Sequence, residues 1–180
     1  MNHKPLHIIG ISGSLRSNSA NTNILRAIMY LLPDNVQMTM YETLDTIPHF
    51  NPEIEKEGVP LCVQEFRSQI QSADAVIICT PEYAFGVPGV LKNALDWLVS
   101  SGELNEKPVA AISASPLTSG GDKALASLIL TLTALGTKIS DPLSLSIPAI
   151  KKVMTEDGDI TDDKLIDQLK TLTERLIEII

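Results

Sequence analysis

The stretch from Ala75 to Trp97, AVIICTPEYAFGVPGVLKNALDW, constrains the fold more than any other part of the chain. It opens with an uninterrupted apolar run, Ala75 to Cys79, whose β-branched bias suits a parallel strand buried on both faces. Pro81 ends that run, and a loop carrying Glu82, Tyr83, Phe85 and Gly86 follows. Gly86 and Gly89 are expected to let this loop turn sharply. A helix then restarts, with Pro88 expected at its first position, where the missing N–H costs nothing. A loop at the carboxyl end of a buried strand is where open α/β sheets keep their ligand sites.

The same alternation of strand and helix signals runs through the whole chain. Leu6–Ile11, Val36–Tyr41, Pro108–Ala114 and Leu143–Ile147 read as four further strands. Asn23–Leu32, Leu61–Ser72, Asp122–Leu135 and Thr161–Ile180 carry apolar residues at helical spacing, with Thr161 placed to cap the last helix. Five strands alternating with helices predict one parallel sheet covered on both faces. Right-handed crossovers then favour a flavodoxin-like three-layer sandwich of strand order 2-1-3-4-5. The 180 residues form a single domain in this reading. Thr46–Pro60, with three prolines and little periodicity, reads as a surface loop on the crevice side or as an edge without function.

Composition excludes several classes of function. The net charge is −8, and no Lys or Arg run is long enough to track a nucleic-acid backbone. No apolar run approaches the roughly 20 residues of a membrane span, and the N-terminus lacks a signal-peptide pattern. A cytoplasmic location is therefore expected. Cys62 and Cys79 form no C-x-x-C pair, and Cys79 reads as a small apolar group in a buried strand. Redox chemistry would need a cofactor rather than a thiol. His3, His7 and His49 are scattered, without metal-binding spacing.

The first strand runs into Gly10-Ile-Ser-Gly-Ser-Leu-Arg-Ser-Asn-Ser-Ala-Asn-Thr22, followed by a helix. Hydroxyls, a flexible Gly13, a helix N-terminus and the fixed charge of Arg16 make a phosphate cradle. The stretch lacks both the P-loop Gly-Lys-Ser/Thr and the G-x-G-x-x-G dinucleotide fingerprint, and suits a terminal monophosphate better than a pyrophosphate. A third loop, Ser113–Gly121, follows the fourth strand and borders the same crevice in the predicted sheet order.

Two of these segments resemble the NADPH-dependent FMN reductase family of flavodoxin-like proteins, which includes quinone, azo-dye and chromate reductases. Its P-E-Y-N and P-G-x-L-K-N-A-L-D-W patterns match Pro81 to Trp97 except at Ala84, where the family commonly has Asn. Its G-S-L-R-x-x-S-x-N pattern matches Gly13 to Asn21. The resemblance implies FMN as cofactor and NADPH or NADH as electron donor. It implies Ser14, Arg16, Ser19, Asn21 and Thr22 as phosphate ligands, and flavin contacts from Pro81, Glu82, Tyr83, Ala84, Phe85 and Gly86. Ser115, Gly120 and Gly121 would approach the ring edge. Glu82, Tyr83 and Phe85 are expected to act partly through main-chain N–H groups that stabilise charge on the flavin. No side chain is assigned as an acid or base.

The implied acceptor is a small molecule: free FMN, a quinone, an azo compound or chromate. A homodimer or homotetramer is implied too, with Trp97 and Leu98 either at the subunit contact or in the core. Two other readings use the same fold, an electron carrier and a flavin-binding sensor. Carriers typically cover the flavin with aromatic side chains, whereas this chain has one Trp and three Tyr.

Overall fold

The apolar runs become five parallel strands in one sheet: β1 (Leu6–Ser12), β2 (Val36–Tyr41), β3 (Ala75–Thr80), β4 (Val109–Ala114) and β5 (Ser144–Ile147). Their order is β2-β1-β3-β4-β5, as the alternation of elements predicts. The computed structural model describes residues 4–180, so His3 lies outside the described residues. Every residue of β3 and β4 is buried, because helices cover both faces of the sheet. Side chains alternate between two cores. Ile9, Ile11, Val76 and Ile78 join α3 (Leu61–Ser72), α4 (Gly89–Asp96) and α5 (Asp122–Ala134) on one face. Ile8, Ala75, Ile77 and Cys79 join α1 (Ala20–Leu31) and α6 (Asp163–Glu178) on the other.

At their carboxyl ends the strands turn polar. Ser12 lies opposite Cys79, Thr80 opposite Ser113, and Ser113 opposite Ser146. These hydroxyls mark the level at which the chain leaves the core and enters the loops that form the site.

Several local expectations shift. Pro88 is the N-cap of α4, and the helix begins at Gly89. Asp162, not Thr161, caps α6, because its carboxylate reaches the amide of Leu165 at 2.7 Å. Gly86 and Gly89 do not make the sharp turn. Ala84 (φ 49°) and Phe85 (φ 63°) do, in a two-residue turn closed by reciprocal 3.0 Å backbone bonds between Tyr83 and Gly86. Both turn residues lie in left-handed backbone, as a type I′ turn requires. Gly13 has no positive φ either, and its need is for space. A Cβ there would stand 2.9 Å from Thr80 Oγ1 and 3.0 Å from Leu91 Cδ2.

Thr46–Pro60 is more ordered than its composition suggests, since it contains a short helix, α2 (Pro52–Glu57). Asn93 holds the segment before that helix, accepting from the amide of Phe50 at 2.7 Å and donating to the carbonyls of Ile47 and Pro48. Trp97 Nε1 donates to the Pro48 carbonyl at 2.8 Å, and the indole meets Phe50 edge-on. Trp97 and Leu98 are fully buried, which places them in the core. Arg67 of α3 ties α2 down through Glu55 at 2.5 Å and also donates to the Trp97 carbonyl.

Candidate active site

The site grows from the β1–α1 junction. Ser19 is the N-cap of α1, yet its hydroxyl makes no capping bond although the residue is only 3% exposed. No acidic residue occupies the first turn of α1. The helix therefore presents free N–H groups and an uncompensated positive end. Arg16 stands beside it, exposed, and its guanidinium makes no ion pair among the described residues. Asn21 is nearly buried and accepts from the Cys79 thiol at 3.3 Å, which fixes the loop to β3. Burial pushes the Cys79 thiol far up, so it stays protonated. This donor set fits a phosphate monoester.

The loop after β3 forms the floor, and Glu82 locks it in place. Its Oε2 accepts from the amides of Lys123 and Ala124 at 3.0 Å each, capping α5 from outside the helix. The N-cap of α5 is Gly121, which has no side chain to do this work. Gly121, at φ 80°, also lets the loops meet, because a Cβ there would sit 3.3 Å from Ser113 Cβ and 3.5 Å from Glu82 Cβ. Gly120 is more tightly confined, with Ser146 Oγ in the space its Cβ would take and the Pro148 nitrogen 3.0 Å away. Ser113 Oγ donates to the Gly120 carbonyl at 2.9 Å.

These loops enclose a cleft of 840 Å³, within the roughly 300–1,000 Å³ of small-molecule sites. Ser14, Arg16, Ser19 and Asn21 line one end, and Pro81, Glu82, Tyr83 and Ser115 continue it. Thr22 faces a smaller hollow of 250 Å³ beside β2, where its hydroxyl meets Ser12 Oγ at 2.8 Å. Ser14 and Arg16 border both spaces. Ala84, Phe85 and Gly86 form the turn outside the cleft lining, with Phe85 78% exposed. Gly120 and Gly121 stand behind it as packing residues.

The opposite wall has no counterpart in the sequence reading. Ile150, Lys151, Met154, Thr155 and Glu156 supply it from the segment between β5 and α6. That segment folds back onto the first loop: Asn18 Nδ2 donates to the Glu156 carbonyl at 3.1 Å. The adjacent Lys151 and Lys152, just past the fifth strand, were the available signal. His7 bonds Thr39 and His49 is exposed, so neither reaches the cleft. Among the described residues no cluster of His, Cys, Asp or Glu could hold a metal ion. None of their helices is long and apolar enough to cross a membrane.

Comparison with known proteins settles the lineage. The family model for NADPH-dependent FMN reductase matches residues 6–151. The chain belongs to the NADPH-dependent FMN reductase family. Membership makes it an oxidoreductase of the flavin-dependent, NAD(P)H-using kind. An NAD(P)H-dependent FMN reductase of Pseudomonas aeruginosa is 34% identical over 161 residues, covering 88% of this chain and 86% of the relative. A quinone reductase of Escherichia coli is 31% identical over 168 residues, covering 91% and 89%. Among solved structures, the Paracoccus denitrificans flavoenzyme FerB, an NAD(P)H:(acceptor) oxidoreductase, superimposes with a TM-score of 0.85 at 28% identity. That match covers 96% of each chain.

Proposed function

We propose that this reductase binds FMN in the cleft, accepts hydride from NAD(P)H and passes electrons to a small acceptor such as a quinone or free FMN. The observation that carries the reading is the unengaged N-terminus of α1. The idle Ser19 hydroxyl and unpaired Arg16 beside it call for a phosphate. Ser14, Arg16, Ser19 and Asn21 would hold that phosphate, with Thr22 steadying the loop through Ser12. When bound, FMN supplies the hydride-accepting and electron-donating centre. The backbone from Pro81 to Tyr83 and Ser115 orients the ring system, and Glu82 keeps those two loops in register through α5. Of the backbone N–H groups here, that of Glu82 is free to stabilise developing negative charge, because Pro81 has none and those of Tyr83 and Ser115, against expectation for Tyr83, donate to the carbonyls of Gly86 and Ile147.

The sequence offers no separate dinucleotide fingerprint for NAD(P)H, so donor and acceptor take turns at one exposed surface. Such alternation gives ping-pong kinetics. The test uses flavin-loaded protein with NADPH and a quinone under anaerobic conditions. Steady NADPH consumption with parallel double-reciprocal lines supports the reading. Flavin uptake without steady consumption would make the protein an electron carrier or sensor, and intersecting lines would refute the shared surface.

A further inference from the structure

Two cations line the cleft, Arg16 in the phosphate cradle and Lys151 beyond β5. Lys151 lies in the 3-10 turn Ile150–Lys152 that follows β5. Backbone contacts fix that turn. The amide of Ile150 donates to the Ser115 carbonyl at 3.1 Å, and the amide of Ala149 donates to the Leu117 carbonyl at 2.9 Å. Ile150 is buried beneath the turn as its anchor. Ala149 is held at φ 47°, a left-handed conformation unfavourable for any residue with a Cβ. Strain of this kind persists only where the surroundings over-determine it, and it gathers at ligand sites. Here the strained turn delivers a lysine to the cleft wall.

Lys151 makes no side-chain hydrogen bond or ion pair among the described residues, in a chain where 22 acids outnumber 14 bases. The cleft carboxylates leave it unpaired: Glu82 is engaged by α5, and Glu156 forms no ion pair. The turn that carries Lys151 leaves β5, which β3 and β4 separate from the β1 strand that leads to the cradle. Building on the functional reading above, we infer that Lys151 grips a phosphate of the dinucleotide donor. The two sources are its pyrophosphate and the 2′-phosphate that distinguishes NADPH from NADH.

The test titrates FMN-loaded wild-type protein and Lys151→Ala with NADP⁺ and NAD⁺, following flavin absorbance, and measures FMN and riboflavin affinities in parallel. Lys151→Ala should weaken NADP⁺ binding by roughly five- to tenfold, the scale of a solvent-accessible charged contact. FMN affinity should hold, and Lys151→Arg should restore NADP⁺ binding. An equal loss for NAD⁺ assigns the pyrophosphate, and a loss confined to NADP⁺ assigns the 2′-phosphate. Unchanged affinity for both dinucleotides overturns the inference. Weaker FMN binding with riboflavin unaffected also overturns it, by moving Lys151 to the flavin's own phosphate. If wild-type protein takes up no FMN or consumes no NAD(P)H, the functional reading falls and this inference with it. Normal uptake and turnover beside an indifferent Lys151→Ala removes this inference alone.

Discussion

The turn at Ala84 and Phe85 places two residues with side chains in left-handed backbone, and its cost can be measured by relieving it. A residue with a Cβ loses about 1–2 kcal/mol in this region, and Asn loses least among non-glycine residues because its amide bonds locally. Ala84 is exposed and makes no side-chain hydrogen bond, so replacing it disturbs little else. Ala84→Asn should therefore raise stability by about 0.5–1 kcal/mol, which for a domain of this size is a rise in Tm of roughly 1–4 °C. Ala84→Gly would relieve the same strain but add unfolded-state entropy of about 0.5–1 kcal/mol, leaving a smaller gain. Ala84→Val, β-branched, should destabilise. Urea unfolding of the flavin-free protein gives all three values under one condition. If Asn gives no gain and Val no loss, the backbone at residue 84 is not held left-handed, and the argument from strain fails.

Arg16→Ala should weaken FMN binding by about 1.5–3 kcal/mol, the range of a charge-assisted hydrogen bond. Riboflavin should bind both forms alike, and an equal loss for riboflavin would assign Arg16 to the fold. Glu82→Ala removes both bonds to the N-terminus of α5. It should cost about 1–2 kcal/mol of stability in the flavin-free protein, and an unchanged urea midpoint would refute the cap. The Glu55 carboxyl is held below its ordinary range by the Ser100 hydroxyl and the Arg67 guanidinium. The stability it contributes is therefore present above the unfolded value near 4.5 and is lost as pH falls through the lower folded value. Glu55→Gln should flatten that part of the acid limb when urea midpoints are followed from neutral to acid pH.

The strands and their order were legible because each strand is a short apolar run bounded by breakers, and because parallel crossovers leave few topologies. The phosphate loop was legible as a hydroxyl-rich stretch between a strand and a helix. The turn at residues 84–85 was not, because nothing in Ala-Phe announces left-handed backbone, while Gly86 and Gly89 nearby do and do not adopt it. Gly120 and Gly121 stood out in the sequence, yet their confinement by Ser146, Ser113 and Glu82 arises only when three loops meet. Asn93 and Trp97 read as part of a family pattern, and the structure gives that pattern a mechanical job on the segment from Ile47 to Phe50. The wall from Ile150 to Glu156 depends on a strained Ala149 and on bonds to residues more than thirty positions away, which no local pattern encodes.

Cys79 is sealed beneath the phosphate loop with its thiol held protonated, and Cys62 sits half-buried on α3, packed against the core of the opposite face. Thiol-directed reagents thus have a single address on the native fold, Cys62, which is not part of the cleft lining. A dye or spin label can be attached at Cys62 without first engineering a cysteine out. It would report ligand-linked motion from the first turn of α3, near Tyr41 at the carboxyl end of β2.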